Sequence, residues 1–254
     1  MEIGVIIIGA ALAGFVQGLS GFGYSMTAMA LWAWTLEPSL AAPLAVFGGL
    51  TGQIIQAFSV RRGFQWRALW PFLLGGLCGL PLGLWLLPQL NVVLFKTLLG
   101  LMLVVFCPIM AFAHRLPRID QWPGMQGPLR PIANGLAGMV GGAMGALGGF
   151  SGVVPTLWCQ LSGMAKDAQR QIIQNFNLTM LAVTFASYVG TGLVDRSMLP
   201  YFAAALPAML LPSIWGGRLY QRISDAAFRK LVLGLLTAAG VAMLASALPS
   251  WLAA

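Results

Sequence analysis

The stretch LAGFVQG at residues 12–18 recurs, with two substitutions, as LAGMVGG at residues 136–142. Further matches follow both copies in the same order, since Gly23-Tyr24-Ser25 corresponds to Gly149-Phe150-Ser151. The spacing between later matches grows slowly, as small loop insertions would make it. Each match is short, but their common order predicts that the chain contains two copies of one structural unit.

Each copy opens with a glycine-rich apolar segment that is too long for one ordinary membrane span, at residues 3–36 and 132–163. Both segments are interrupted near the middle, by GFG at residues 21–23 and by GALGG at residues 145–149. We therefore expect two broken helices, each followed by three conventional spans. These spans are predicted at 40–60, 68–87 and 92–112 in the first half, and at 171–194, 197–215 and 231–248 in the second.

The composition places the chain in a lipid bilayer. Of 254 residues, 59% are hydrophobic and 8% are charged, and the mean hydropathy is +0.84. A soluble domain needs roughly a quarter of its residues charged to solvate its surface. Because backbone groups in lipid must be satisfied within the segment, and because the short alternating strands of a barrel are absent from the pattern, the expected fold is all-α and polytopic.

The net charge of +8 comes from basic residues that lie between apolar segments. Such placement indicates membrane topology, so no nucleic acid is expected as a partner. The three cysteines lie within apolar runs, and the single histidine, His114, lies in a polar stretch. Neither pattern is typical of a metal or cofactor site, so none is expected.

Basic residues cluster in three places, around residues 61–67, 115–130 and 218–230. The positive-inside rule assigns all three to the cytoplasm. If the opening segment of the second half crossed the membrane once, the last basic cluster would fall outside, so this segment is predicted to be a hairpin that enters and leaves on one face. A hairpin plus three spans makes an odd number of crossings, which predicts inverted repeats at 1–113 and 132–254, a cytoplasmic linker at 114–131, and both termini in the periplasm.

The chemistry is expected at the two breaks. A helix end inside the membrane exposes N–H groups and a partial positive charge, and glycine lets the backbone approach a ligand. For the paired glycines Gly14 and Gly18, and Gly138 and Gly142, the four-residue spacing favours tight helix packing instead. Polar side chains in the following spans are further candidates, because intramembrane amides face protein or a cavity. Gln53 and Gln56 share one helix face, and Gln171, Asn175 and Thr179 form a second stripe with Gln174 and Asn177 beside it.

The expected substrate-binding residues are therefore the glycines of the breaks, the residues that follow them and three amides: Gly21, Gly23, Tyr24, Ser25, Gln53, Gly148, Gly149, Phe150, Ser151, Asn175 and Asn177.

The six acidic residues all fall at segment ends or in loops. Without a carboxylate at mid-membrane the pattern disfavours a cation and favours an anion. Gly149-Phe150-Ser151-Gly152 matches the motif around the serine of rhomboid-type intramembrane proteases, but that chemistry needs a base such as histidine on a later span. His114 precedes the motif, so a protease is disfavoured and no enzymatic activity is expected.

The two halves, GLSGFG at residues 18–23, and the run from Gly138 to Gly149 leading into VVP at residues 153–155 resemble the TauE/SafE membrane transporters, also called sulfite exporters. The resemblance covers the whole chain in length and layout. It implies transport of a small sulfur-containing or organic anion, such as sulfite or a sulfonate.

We therefore expect a secondary transporter of a small anion in a bacterial inner membrane, with export favoured over import. A passive anion channel is the alternative. The expected partners are the anion and the lipid bilayer, and the sequence leaves a homodimer open.

Overall fold

The computed structural model describes residues 2–20, 23–59, 63, 65–112, 127, 129–220 and 225–252, and in this part of the chain every regular element is a helix. Among these residues, the first half contributes five α-helices and the second half five more in the same order. They are α1 (Glu2–Ser20), α2 (Tyr24–Trp32), α3 (Pro38–Ser59), α4 (Trp66–Leu86), α5 (Val92–Ala111), α6 (Leu129–Gly148), α7 (Val153–Leu161), α8 (Lys166–Gly190), α9 (Leu199–Tyr220) and α10 (Asp225–Leu252).

The predicted all-α polytopic fold is confirmed. Seven helices of the described part are long and apolar enough to cross a membrane, and they are α1, α3, α4, α5, α8, α9 and α10. Large apolar side chains stay exposed on these helices, as Trp215 at 70% and Leu211 at 67% illustrate. Such exposure is costly in water and ordinary against lipid, so the chain is a multi-pass membrane protein.

The six conventional spans lie where the sequence predicts them, within a few residues at most ends. α8 begins five residues before the predicted start at Gln171, and α10 begins six before Leu231. In the second half helical structure begins at Leu129, inside the stretch expected to be a linker. Most of that stretch lies outside the described residues.

Glycines pack the broken segments against the opposite half, as their spacing predicts. A side chain at Gly14 or Gly18 of α1 would collide with the α9 backbone at Met209 or Ser213. A side chain at Gly142 of α6 would collide in the same way with the α4 backbone at Gly76. These contacts bring helix backbones together without side chains between them, which is how small residues stabilise helix pairs in lipid.

The packing joins the halves crosswise. α1 packs on α9, α6 packs on α4, and α5 packs on α10. The α5 and α10 helices run antiparallel, since Thr97 near the start of α5 accepts a hydrogen bond from Trp251 Nε1 near the end of α10 at 3.0 Å. The α3 and α8 helices also run antiparallel, since the Phe47 ring lies 5.8 Å from that of Phe185 while the later Gly49 lies beside the earlier Leu181.

Candidate functional site

The first broken segment is a hairpin. Trp32 at the end of α2 donates its indole N–H to the carbonyl of Val5, near the start of α1, at 3.2 Å. At the other end of α2, the backbone N–H of Tyr24 donates to Gln17 Oε1 at 3.2 Å. The end of α2 therefore contacts the start of α1, and the start of α2 contacts the end of α1. The two helices run antiparallel and form a hairpin.

The second broken segment is built in the same way. Trp158 near the end of α7 donates its indole N–H to Asn134 Oδ1, near the start of α6, at 2.7 Å. A Cβ at Gly141 of α6 would lie 2.9 Å from Cγ of Pro155 in α7, so the two arms are in direct contact. The predicted hairpins therefore exist in both halves.

Each break depends on one glycine in the left-handed region. Gly23 has φ 89° and Gly149 has φ 79°. An L-residue pays about 1–2 kcal/mol for this conformation, and glycine does not. These two positions correspond in the repeat, so the conformation that breaks the helix is repeated along with the sequence.

The two breaks meet in the middle of the bundle. A Cβ at Gly149 would lie 2.5 Å from Ser25 Oγ, and a Cβ at Gly49 of α3 would lie 2.9 Å from the same oxygen. Ser25 Oγ donates to the carbonyl of Ala45 at 3.1 Å, and Ser151 Oγ donates to Asn177 Oδ1 at 3.1 Å. The partners of both serines, Ala45 and Asn177, lie well inside α3 and α8, so the breaks meet beside the middle parts of two long helices.

A cavity of about 570 Å³ opens beside this meeting point. Its wall contains residues of both breaks together with amides of α3 and α8. Of the predicted site residues, it includes Gly23, Tyr24, Ser25, Gln53, Gly149, Phe150 and Asn177. Gln56, predicted to share the face of Gln53, also lines it.

Three predicted residues do not line the cavity. Ser151 is 1% exposed and reaches the wall only through its hydrogen bond to Asn177. Asn175 donates instead to the carbonyl oxygens of Gly63 at 3.1 Å and Gln171 at 2.9 Å, away from the cavity. Gly148 packs against Met29, and Gly21 lies outside the described residues.

The sequence analysis did not identify five polar residues of the wall, namely Gln17, Thr156, Gln160, Gln169 and Arg170. Arg170 is the one charged side chain among the described residues that line the cavity. A helical signal could have found it, because Arg170, Gln174, Asn177 and Leu181 follow one another at spacings of four, three and four. The predicted stripe through Gln171 and Asn175 lies on the neighbouring face of the same helix.

The cavity extends from the breaks toward one end of the bundle. Its lining includes Gln56 near the end of α3, Met110 near the end of α5, Gln160 near the end of α7 and Gln169 near the start of α8. On the other side of the breaks α2 is tightly packed, and Met29 and Trp32 are fully buried. The cavity thus opens toward the end of the bundle where α3, α5 and α7 end and α8 begins.

The chemistry of the wall is that of neutral hydrogen-bonding groups plus one cation. Among the described residues, no group of three histidine, cysteine, aspartate or glutamate side chains is arranged to hold a metal ion. The buried serine of the GFSG motif donates to the amide oxygen of Asn177, and an amide does not act as a base. The arrangement is suited to binding a small polar solute.

The helices and the cavity define a class of protein, a polytopic helical membrane protein with an internal cavity between two broken hairpins. The chain matches the family model described as Sulfite exporter TauE/SafE over residues 6–243, and it belongs to that family. Comparison with the curated proteins and with the solved structures gave no match. This family is one of membrane anion exporters.

Proposed function

We propose that the protein is a secondary transporter that exports a small sulfur-containing or organic anion, such as sulfite or a sulfonate. The anion binds near the bilayer midplane, between the two hairpins. The observation that carries this proposal is the contact of Ser25 with Gly149, which brings both breaks to the wall of one cavity.

The wall supports an anion over a cation. Hydroxyl and amide groups of Ser25, Gln53 and Asn177 can donate hydrogen bonds to an oxyanion, and two helix N-termini begin nearby. No aspartate or glutamate is found among the described lining residues. Arg170 is exposed near the start of α8, where its charge attracts anions into the cavity.

The two halves are inverted repeats in this proposal. Its supports are the antiparallel pairs α3 with α8 and α5 with α10, since each pair joins corresponding helices of the two halves. The basic loops then mark the cytoplasmic side of a bacterial inner membrane, and both termini are periplasmic. Such repeats with discontinuous helices are typical of transporters that alternate access to a site at the midplane.

The corresponding arms α2 and α7 differ in burial, which supports alternating access. Seven of nine residues are buried in α2, whereas two of nine are buried in α7. Lys96 at the start of α5 lies 5.2 Å from the ring centroid of Trp34 and helps to hold the closed side. The present conformation is then open to the cytoplasm, and exchanging the packing of the two arms would open the other side.

Export needs no coupling ion in this scheme. An inside-negative potential drives one negative charge outward with about 2.3 kcal/mol per 100 mV. The substrate bound at the midplane is released when the closed side opens.

The transport proposal is tested with purified protein in proteoliposomes loaded with sulfite, methanesulfonate or acetate. We expect efflux that saturates with anion concentration and that rises with an imposed potential, negative on the loaded side. Empty liposomes and the Gly149→Val protein are the controls. Non-saturating flux accompanied by single-channel conductance in a planar bilayer would favour the channel instead.

The topology is tested by cysteine labelling in a cysteine-free background. Arg67→Cys at the start of α4 should react only with a reagent that reaches the cytoplasm, and Ser197→Cys, in the turn before α9, should react from outside. Labelling of both positions from the same side would contradict the inverted arrangement.

A further inference from the structure

Gln17 is a buried amide in which only the acceptor has a partner. It lies one turn before the end of α1, is 3% exposed, and lines the cavity. Its Oε1 accepts the N–H of Tyr24, the first residue of α2. Its Nε2 is buried and makes no hydrogen bond. A donor left unpaired in the interior loses its hydrogen bonds to water without replacement, so this arrangement needs a reason.

The corresponding position of the second half is closed to any side chain. In the alignment of LAGFVQG with LAGMVGG, Gln17 matches Gly141. A Cβ at Gly141 would lie 2.6 Å from the carbonyl oxygen of Ser151 and 2.9 Å from Cγ of Pro155. The amide is therefore a feature of one half only, and the repeated architecture does not require it.

The neighbouring helix leaves room for this amide. A Cβ at Gly52 of α3 would lie 2.8 Å from Gln17 Nε2, and the following residue, Gln53, lines the cavity. The unpaired donor thus lies beside α3, next to the residue that precedes Gln53 in the cavity wall.

We propose that Gln17 binds the substrate directly, with Nε2 donating a hydrogen bond to an oxygen of the anion while Oε1 continues to accept the N–H of Tyr24. The inference rests on the proposed function, because it assigns a further residue to the same site. A bound anion accepts a hydrogen bond from this donor, so binding offsets the desolvation cost that the unpaired donor carries in the absence of substrate. The same side chain then connects the anion to the N-terminus of α2, the arm that closes the outer side.

Two substitutions remove this donor by different routes. Gln17→Met has a similar length and no N–H group. Gly52→Ala keeps the glutamine at position 17, but the new methyl group displaces the amide end of that side chain. Gly52 itself does not line the cavity. The matched controls are Gln89→Met, which removes an exposed amide outside the cavity lining, and Gly234→Ala, where a Cβ meets nothing within 4 Å.

The measurement is binding of sulfite, methanesulfonate and acetate to the purified proteins, alongside their thermal unfolding. For the anion that binds the wild type most tightly, we expect Gln17→Met and Gly52→Ala to lose at least tenfold in affinity, and both controls to stay within about threefold. Wild-type affinity in Gln17→Met would overturn the inference and leave the transporter intact. If that protein does not fold, wild-type affinity in Gly52→Ala has the same meaning. Failure of the wild type to bind any of the three anions would overturn the proposed function and this inference with it.

Discussion

Substituting Gly149 with alanine perturbs the place where the two breaks touch. Two costs add at this position. Gly149 has φ 79°, where an L-residue is strained by about 1–2 kcal/mol. The new Cβ would also lie 2.5 Å from Ser25 Oγ and 3.1 Å from Ser25 Cβ, whereas ordinary contact begins near 3.4 Å.

Ser25 cannot move away freely. It is 6% exposed, and its hydroxyl is hydrogen-bonded to the carbonyl of Ala45. Overpacking of this kind costs roughly 1–3 kcal/mol. The total for Gly149→Ala is therefore about 2–5 kcal/mol.

Gly192 provides a matched control for the strain alone. It has φ 76°, and a Cβ there meets nothing within 4 Å. Gly23→Ala is a second control, because φ is 89° and the nearest atom to the new Cβ is Val16 Cγ1 at 3.7 Å. Both variants should cost only the strain, about 1–2 kcal/mol.

The assay is thermal unfolding of the purified variants, together with the affinity for sulfite. At roughly 2–4 °C per kcal/mol, Gly192→Ala and Gly23→Ala should lower Tm by about 2–8 °C, and Gly149→Ala should lower it about twice as far. Gly149→Ala should also weaken sulfite binding, and Gly192→Ala should not. Equal Tm values for Gly149→Ala and Gly192→Ala, with unchanged binding in both, would refute the contact between the breaks as a determinant of the site.

Three further variants test other parts of the argument. Ser25→Ala should lower sulfite affinity about tenfold, or ~1.4 kcal/mol, since its one hydroxyl proton must leave the Ala45 carbonyl to reach an anion; an unchanged dissociation constant in a titration would contradict this. Arg170→Gln should slow sulfite uptake into the site and flatten its dependence on salt, whereas Arg67→Gln, at a position outside the cavity lining, should do neither in stopped-flow binding. Gly142→Ala should reduce the yield of folded protein on gel filtration because the α4 backbone occupies the space of its methyl group, and Gly234→Ala should be neutral or slightly stabilising.

The sequence contains enough information to predict the helices and the breaks. Apolar runs of bilayer length predict the spans, and the paired glycine motifs at Gly23 and Gly149 mark where the chain turns back. The repeat predicts that both halves share one order of elements, which the ten helices have. These features depend on local composition and on periodicity, so one chain suffices to read them.

The wall of the cavity could be predicted only in part, because it depends on how helices rotate against one another. Asn175 and Asn177 are two residues apart on α8, which separates their directions by about 200°. Both are polar, but only Asn177 lines the cavity, while Asn175 hydrogen-bonds toward Gly63. Gln17 was missed for a different reason: it lies in a stretch whose glycine spacing indicates helix packing, so its polar side chain was not considered as part of a site.

Ser151 is the residue whose expected role changes most. The repeat makes it the counterpart of Ser25, so equal contributions would follow from symmetry alone. Of the two serines only Ser25 lines the cavity in the structure, whereas Ser151 donates to the Oδ1 atom of Asn177, which itself lines the cavity. We therefore expect Ser151→Ala to act as loss of a positioning contact, with sulfite affinity falling about two- to fivefold, less than in Ser25→Ala. The double variant with Asn177→Ala distinguishes this route from direct contact: once Asn177 is gone, removing the Ser151 hydroxyl should have no further effect on affinity. A full, additive loss in the double variant would mean that Ser151 contacts the anion itself, in a conformation in which the second hairpin has moved toward the cavity.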